Sequence, residues 1–511
     1  MISRAETTDP AQLAPIWSSD TALLIYIAIA TVIAHLLSGG RYGFQRDELA
    51  TLDDARHLAW GYVAYPPITP FFGRLSLTLF GTSLIGFRFF AVLAEAIAVV
   101  LTGLMARALG GGRGAQLVAV AAAIPFCLGG GALMQYVSFD YLFWVLTAYF
   151  VVRLLKSDDP RWWMAIGCTI GLGMMSKYTM GFFAVGIVAA VLLTPTRKHL
   201  ASKWLWIGVA LSVLIWLPNL LWQVHHHFIS LDFLHAIHER DVRIGRTQGF
   251  LRDQLKLTLL AILLCVAGLY FYLLSKAGSR FRMLGWMYIV PLLLFAGAKG
   301  RWYYMAGAYP MLYAAGAVWG EQWLRSKSIG GVWAGSVRAL VWTALIIDIV
   351  LLAFIAIPTA PVNSALWKFA SKNNGDLVEE LGWPELVQAV ASIRDSLPEQ
   401  EREHLGILAA NYGEAGAINL YGPSYHLPEV ISGVNSFWAR GYGDPPPETL
   451  IVLGHSIDFL ERNFASCELA GHTPNPFGIQ NEETTGHPDI YVCRGLRQAW
   501  PDFWNKYRHF G

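Results

Sequence analysis

The chain has 511 residues, of which 55% are hydrophobic and only 14% charged. A soluble chain would carry about a quarter charged residues, so the composition excludes a disordered protein and argues against a soluble enzyme. With 38 Lys and Arg against 36 Asp and Glu the net charge is +2, which leaves no global basic footprint for nucleic acid. The first apolar run, about 21–37, follows a segment (1–20) holding Glu6, Asp9 and Asp20 but only one base, Arg4. That run lacks a basic n-region and a small-residue cleavage site, so it is expected to be a retained anchor. Ten more runs follow, at about 84–106, 115–134, 137–155, 162–176, 178–194, 204–222, 254–275, 283–298, 303–323 and 336–357. Crossing a ~30 Å hydrocarbon core takes roughly 20 residues. The sequence therefore predicts a polytopic α-helical membrane protein with about eleven transmembrane helices over 21–357.

Charge assigns the sides. With the N-terminus cytoplasmic, the inner loops hold Arg107 and Arg113; Arg153, Lys156 and Arg161; Arg197, Lys198 and Lys203; Lys276, Arg280 and Arg282; and Arg325, Lys327 and Arg338. Two long loops, about 38–83 and 223–253, and everything after 357 then lie outside. From Pro361 the composition turns to Asn, Glu, Pro and Gly. LGILAA, TLIVLG and DIYVCRG read as short strands there, and WPELVQAVASIRDSLPEQ as a helix. An extracytoplasmic α/β domain over 358–511 is expected. Cys467 and Cys493 fall in it, on the oxidising side, where they either pair or stay free. The other three of the five cysteines lie in spans, as small buried hydrophobes.

In the first outer loop, RYGFQRDELATLDDARHLAWGYVAYPPITPFFGRL, two short helices along the membrane surface are expected, separated by Tyr65-Pro66-Pro67. Asp53 and Asp54 are expected to face water. Asp47, close to the end of the first span, is placed to meet a cavity, with Glu48 beside it. Asp140, near the outer end of the fourth span, is costly at that depth unless paired or lining a polar cavity. Lys177, in MMSKYTMG, interrupts two apolar runs; its plain alternative is a snorkelling turn residue. Lys299 and Arg301, in GAKGRWYYMAGAYP, make a basic pair that the inside-positive bias does not require. They suit either a phosphate pocket or an interfacial anchor. Adjacent helical residues diverge by ~100°, so His225-His226-His227 does not chelate as a unit; no metal site is indicated, and a divalent ion is left as an open alternative. No phosphate-binding nucleotide motif occurs.

An acidic pair after the first span, a loop ending in Pro-Pro, Asp140 atop the fourth span, Lys177 between the fifth and sixth, and Lys299/Arg301 before the tenth stand in one order on one side. Over residues ~20–357 this resembles the GT-C superfamily, and within it glycosyltransferase family 39, which includes protein O-mannosyltransferases and lipid A aminoarabinose transferases. NYGEAGAINLYG, SGVNSFWARG and TLIVLG are similar to the outer domain of bacterial members. The resemblance implies a GT-C fold and an inverting transfer of sugar from a polyprenyl-phosphate donor (undecaprenyl in a bacterium) to an envelope glycan, lipid or protein. It implies Asp47 as catalytic base with Glu48 beside it, Asp140 as a second acid, and Lys177, Lys299 and Arg301 as donor-phosphate contacts, without a cofactor. The position before Pro66-Pro67, Lys in aminoarabinose transferases, is Tyr65 here. The phosphate contact expected there falls to a tyrosine, which leaves room for a different donor or acceptor. A multi-pass protein of the plasma membrane or bacterial inner membrane follows. The rival readings are a lipid-linked-sugar flippase, expected to show broken spans or internal repeats, and a non-catalytic scaffold.

Overall fold

The computed structural model describes residues 19–326 and 331–511; Arg4, Glu6, Asp9 and Lys327 lie outside them. Every apolar run read from the sequence is helical. Ser19, whose Oγ accepts from the Ala22 amide at 3.2 Å, starts α1 (Asp20–Ser38). The first loop folds as α2 (Arg46–Arg56) and α3 (Ile68–Phe80), followed by α4 (Leu84–Ala108), α5 (Arg113–Gly130) and α6 (Tyr136–Ser157). Next come α7 (Trp162–Met174), α8 (Thr179–Leu193), α9 (Lys203–His225) and α10 (Ile229–Arg243). α11 (Phe250–Thr258), α12 (Ile262–Leu273), α13 (Arg282–Gly297), α14 (Tyr309–Ser326) and α15 (Gly331–Ala356) complete the helical part.

Among the described residues seven helical stretches are long and apolar enough to cross a bilayer alone: α1, α4, α5, α6, α9, α11 with α12, and α15. An eighth joins α8 to the 3-10 turn Pro195–Ala201 through a bend of 101°. α7 has 13 residues and α13 has 16, short of a straight crossing. α4 and α6 are the most enclosed of these stretches, whereas α9 and α15 expose Val213, Leu214, Leu221, Leu340, Ile346 and Val350. An apolar exterior on long apolar helices is the surface that faces lipid. The chain is a multi-pass membrane protein. α7 packs on α9 with almost no clearance: a Cβ on Gly167 would lie 2.0 Å from the Gly208 carbonyl oxygen, and one on Gly208 would lie 2.2 Å from that of Trp163.

The C-terminal part opens with α16 (Ala365–Asn373), α17 (Trp383–Ser396) and α18 (Glu399–Glu403). The strands are β1 (Leu405–Ala409), β2 (Val430–Ile431), β3 (Thr449–Leu453), β4 (Phe464–His472) and β5 (Asp489–Leu496). They form one sheet in the order β2-β1-β3-β5-β4, parallel across β2-β1-β3 and antiparallel beyond. α19 (Tyr412–Tyr421) follows β1, α20 (Ile457–Asn463) follows β3, and α21 (Glu482–Thr485) and α22 (Trp500–Tyr507) flank β5. The three strand-like runs of the sequence are β1, β3 and β5. Both faces of β1 and β3 are buried, which is why they read as unbroken apolar runs. Ile407, Ala409, Ile451 and Leu453 join the core shared with the helices, while Leu408, Leu450 and Val452 pack on Phe503, Trp504 and Tyr507. Cys467 and Cys493 are disulfide-bonded across the β4–β5 pair.

α2 does not lie free along a surface as expected. It is held between α3 and α19, and eight of its eleven residues are buried. α19 meets it so closely that a Cβ on Gly416 would stand 2.7 Å from the Leu49 carbonyl carbon. The helical part and the sheet therefore share one continuous apolar core, and the junction between them holds the site described next.

Candidate active site

α2 begins with a capping box: the Gln45 side chain accepts from the Asp47 amide at 2.6 Å, and the Glu48 carboxylate accepts from the Gln45 amide at 3.0 Å. This start fixes two acids in the first turn, where the helix dipole favours negative charge. Their neighbours separate their roles. Glu48 is fully buried and accepts from Arg88 Nε at 2.9 Å, Arg88 Nη2 at 2.6 Å and the Met134 amide at 2.8 Å. With its oxygens engaged by a guanidinium and two amides, Glu48 is outside the cavity and unavailable to a reacting group. Asp47 is half-buried and faces the cavity; Gln135 Nε2 donates to its Oδ2 at 3.1 Å.

The cavity has a volume of about 580 Å³, within the usual range for a small-molecule site. Asp47, Tyr65, Lys177, Lys299 and Arg301 all line it. Five of the seven residues singled out in the sequence thus meet in one space, drawn from four separate stretches of chain. Asp140 is not on its wall. It is buried behind it, accepting from Thr179 Oγ1 at 2.8 Å and from Trp144 Nε1 at 3.1 Å, and Thr179 is the residue that reaches the cavity.

Lys177 sits at the α7–α8 break with its Nζ 4.6, 4.7 and 4.5 Å from the ring centres of Tyr136, Tyr303 and Tyr304. Three π faces hold an ammonium in place without neutralising it. Arg301 donates from Nε to Asp241 of α10 at 2.6 Å, and its Nη1 lies 3.4 Å from the Tyr303 hydroxyl. Lys299 is exposed and adopts a φ of +49°, a left-handed backbone that side chains rarely take. The opposite limit of the cavity belongs to α10 and the sheet region: Phe233, Ile237, Arg240, Tyr412, Asn435 and Phe437. Its apolar flank includes Phe182, stacked on Phe295 with centroids 4.5 Å apart.

Asp53 and Asp54 do not face water; both are buried. Arg440, the last residue of the 3-10 segment Asn435–Arg440, binds both: Nη1 contacts Asp53, and Nη2 donates to Asp54 at 2.7 Å. Asn419 Nδ2 also donates to Asp53, at 2.8 Å, and the Tyr65 hydroxyl donates to Asp54 at 2.7 Å. Tyr65 therefore enters the cavity already tied to Asp54, which lines it too. Among the described residues no group of three or more His, Cys, Asp or Glu side chains is placed to hold a metal ion. His226 stacks on Trp222 at 3.9 Å and meets His225 edge-on at 5.1 Å. Asp54 was read in the sequence as facing water, and Gln135, Tyr412 and Asp241 were not singled out. Their one local signal was the Asn411–Glu414 spacing that starts α19 and puts Tyr412 at its first turn.

Solved structures decide the architecture. The structure superimposes on ArnT from Cupriavidus metallidurans, in the apo state and bound to undecaprenyl phosphate, with a TM-score of 0.55 at 14% identity, covering 92% of this chain and 97% of that one. This is the GT-C fold. The oligosaccharyltransferase of Archaeoglobus fulgidus shares it, with a TM-score of 0.52 at 12% identity over 86% of this chain and 70% of that one. The family model for dolichyl-phosphate-mannose-protein mannosyltransferase matches residues 64–222, from the loop before α3 through α9. No curated protein sequence matches. The chain thus resembles the GT-C glycosyltransferases, and the matched stretch carries Tyr65 and Lys177 of the cavity wall and Asp140 behind it.

Proposed function

We propose that the protein is an inverting glycosyltransferase. It would move a sugar from a polyprenyl-phosphate donor to an envelope glycan, lipid or protein on the extracytoplasmic side of a plasma or bacterial inner membrane. The observation that carries this reading is one cavity holding an accessible carboxylate, Asp47, together with three cations, Lys177, Lys299 and Arg301. Similarity to a fold whose solved example, ArnT, binds undecaprenyl phosphate supports the donor class.

The chemistry needs two things. The Asp47 carboxylate takes the proton of the acceptor hydroxyl as that oxygen attacks the anomeric carbon. The bond from that carbon to the phosphate oxygen breaks, and the electron pair leaves on phosphate, where the cations stabilise the new charge. Attack opposite the leaving phosphate inverts the anomeric centre. Asp140 acts indirectly in this scheme, as a buried countercharge behind Lys177, and Glu48 acts by fixing the start of α2. The Phe182 and Phe295 flank suits a prenyl chain entering from the lipid side.

The test is release of sugar-free undecaprenyl phosphate from a panel of lipid-labelled undecaprenyl-phosphate monosaccharides, with a membrane lipid and glycan extract as acceptor. Purified protein should turn over at least one donor. Asp47→Asn should lower turnover by about 10²-fold or more while leaving undecaprenyl phosphate binding intact. Binding without turnover by the unmodified protein would favour a transporter.

A further inference from the structure

Asp241 stands in the last turn of α10, where an acid works against the helix dipole. Its backbone carbonyl accepts from the Arg246 amide at 2.9 Å, closing the end of the helix. The side chain is only 3% exposed, and guanidiniums surround it. Oδ2 accepts from Arg301 Nε at 2.6 Å, while Oδ1 lies 3.7 Å from both Arg240 Nε and Arg246 Nη1. Of these contacts the one to Arg301 has the length of a hydrogen bond. Arg301 comes 60 residues later, from the turn before α14. That turn is anchored on its own account: the Gly300 amide donates to the Phe295 carbonyl at 2.8 Å, and Gln254 Nε2 of α11 donates to the Trp302 carbonyl at 3.0 Å. Asp241 and Arg301 both line the cavity.

We propose that Asp241 is a positioning residue for donor binding, holding the plane of the Arg301 guanidinium so that its remaining edge meets the donor phosphate. The inference rests on the transferase reading above. An arginine side chain has many rotamers, and ordering it only when the ligand arrives weakens binding. Asp241 at Nε and the Tyr303 hydroxyl, 3.4 Å from Nη1, hold two of the three nitrogens. Because the group is planar, these two contacts also direct Nη2 and the second Nη1 hydrogen, which are left for phosphate oxygens. The ordering is thereby completed on folding. Asp241 touches no reacting atom in this scheme and acts through Arg301. Its negative charge also lowers the positive potential of the cavity, so two roles predict opposite signs. If charge alone mattered, removing it would tighten phosphate binding; positioning requires that removal weaken it.

The experiment measures equilibrium binding of undecaprenyl phosphate to the full chain in detergent, with melting temperature recorded in parallel. Asp241→Asn removes the charge and keeps the shape. Asp241→Glu keeps the charge and displaces the carboxylate by one methylene. Both should raise Kd by about three- to tenfold, the scale of immobilising one long side chain on binding. In an Arg301→Ala background, Asp241→Asn should cost no further affinity, because both act through one guanidinium. An unchanged or lowered Kd in the two variants overturns the proposal, whatever happens to the melting temperature. So does parental affinity in Asp241→Glu beside weakened Asp241→Asn, or a further loss in the Arg301→Ala background. If Asp241→Asn does not fold, Asp241→Glu decides by itself. A parent protein that does not bind undecaprenyl phosphate overturns the donor reading and the positioning role together. A binding parent with equally tight Asp241 variants overturns the positioning role alone.

Discussion

Arg440 donates to Asp54 at 2.7 Å across 386 residues of chain, while its other terminal nitrogen binds Asp53. One guanidinium from the C-terminal domain thereby pairs with two buried acids on α2, and α2 is the helix that presents Asp47. Removing a single partner from a buried pair leaves uncompensated charge and costs about 3–5 kcal/mol, against roughly 0–1 for an exposed pair. Arg440→Met should therefore lower the melting temperature in detergent sharply. Adding Asp53→Asn and Asp54→Asn to that variant should restore much of the loss. A melting temperature within error of the parent would show that the pair is solvated.

Arg301 tests the basic wall. Its Nε is engaged by Asp241 and its Nη1 contacts the Tyr303 hydroxyl, so Nη2 and the second Nη1 hydrogen are left to meet a phosphate. Arg301→Ala should weaken undecaprenyl phosphate binding by about tenfold or more, the scale of a charge-assisted hydrogen bond. Arg301→Lys should fail to restore it, because one ammonium cannot hold Asp241 and reach the ligand together. Binding equal to the parent in both variants would reassign Arg301 to a purely structural tie between α10 and the turn before α14.

A third expectation concerns pH. Burial raises the carboxyl of Asp376 to about 6, of Glu379 to about 7, and of Glu380 and Glu414 to about 8. Each folded value lies above the ordinary carboxylate value, so between about pH 4 and 8 the native state binds more protons than the unfolded chain. Stability should therefore rise as pH falls from 8 towards 5 and weaken as these groups ionise. Melting temperatures across that range should show the slope, and Glu380→Gln should flatten its upper part. A melting temperature that climbs with pH would contradict the assignment.

The sidedness proposed from loop charge is open to labelling. Glu403 and Arg197 are both exposed, in the C-terminal part and in the basic turn after α8. In a background without the free cysteines, Glu403→Cys should react with a membrane-impermeant maleimide in intact cells. Arg197→Cys should react only after lysis. The reverse pattern would put Asp47 and its cavity in the cytoplasm and end the polyprenyl-phosphate reading as stated.

The long apolar runs could be read in advance because burial in lipid demands length and hydropathy, and both are local properties. β1 and β3 were legible for a similar reason: buried on both faces, they are almost wholly apolar, while β5 showed through its apolar centre Ile490–Cys493. β4 was not. It is an edge strand with most of its side chains exposed, so it lacks an apolar signature. Within the site, Asp47, Lys177 and Arg301 stood out because a charge beside an apolar run is conspicuous. Glu48 next to Asp47 could not be separated from it, since which neighbour meets Arg88 and which meets the cavity depends on a turn of ~100° per residue. Asp53 and Asp54 misled because their partner, Arg440, belongs to a part of the chain whose approach no nearby residue announces.

The Asp53–Asn419 contact spans 366 residues. At roughly 5–20 residues per second, a ribosome would finish α2 about 20–70 s before it makes α19. Over that interval the first loop would carry acids whose counterions do not yet exist, above a bundle still acquiring helices. Chains truncated before Arg440 would then accumulate with α2 unclamped, exposed to proteases that the finished protein resists. Maturation of the cavity would thus be timed by the last quarter of the chain.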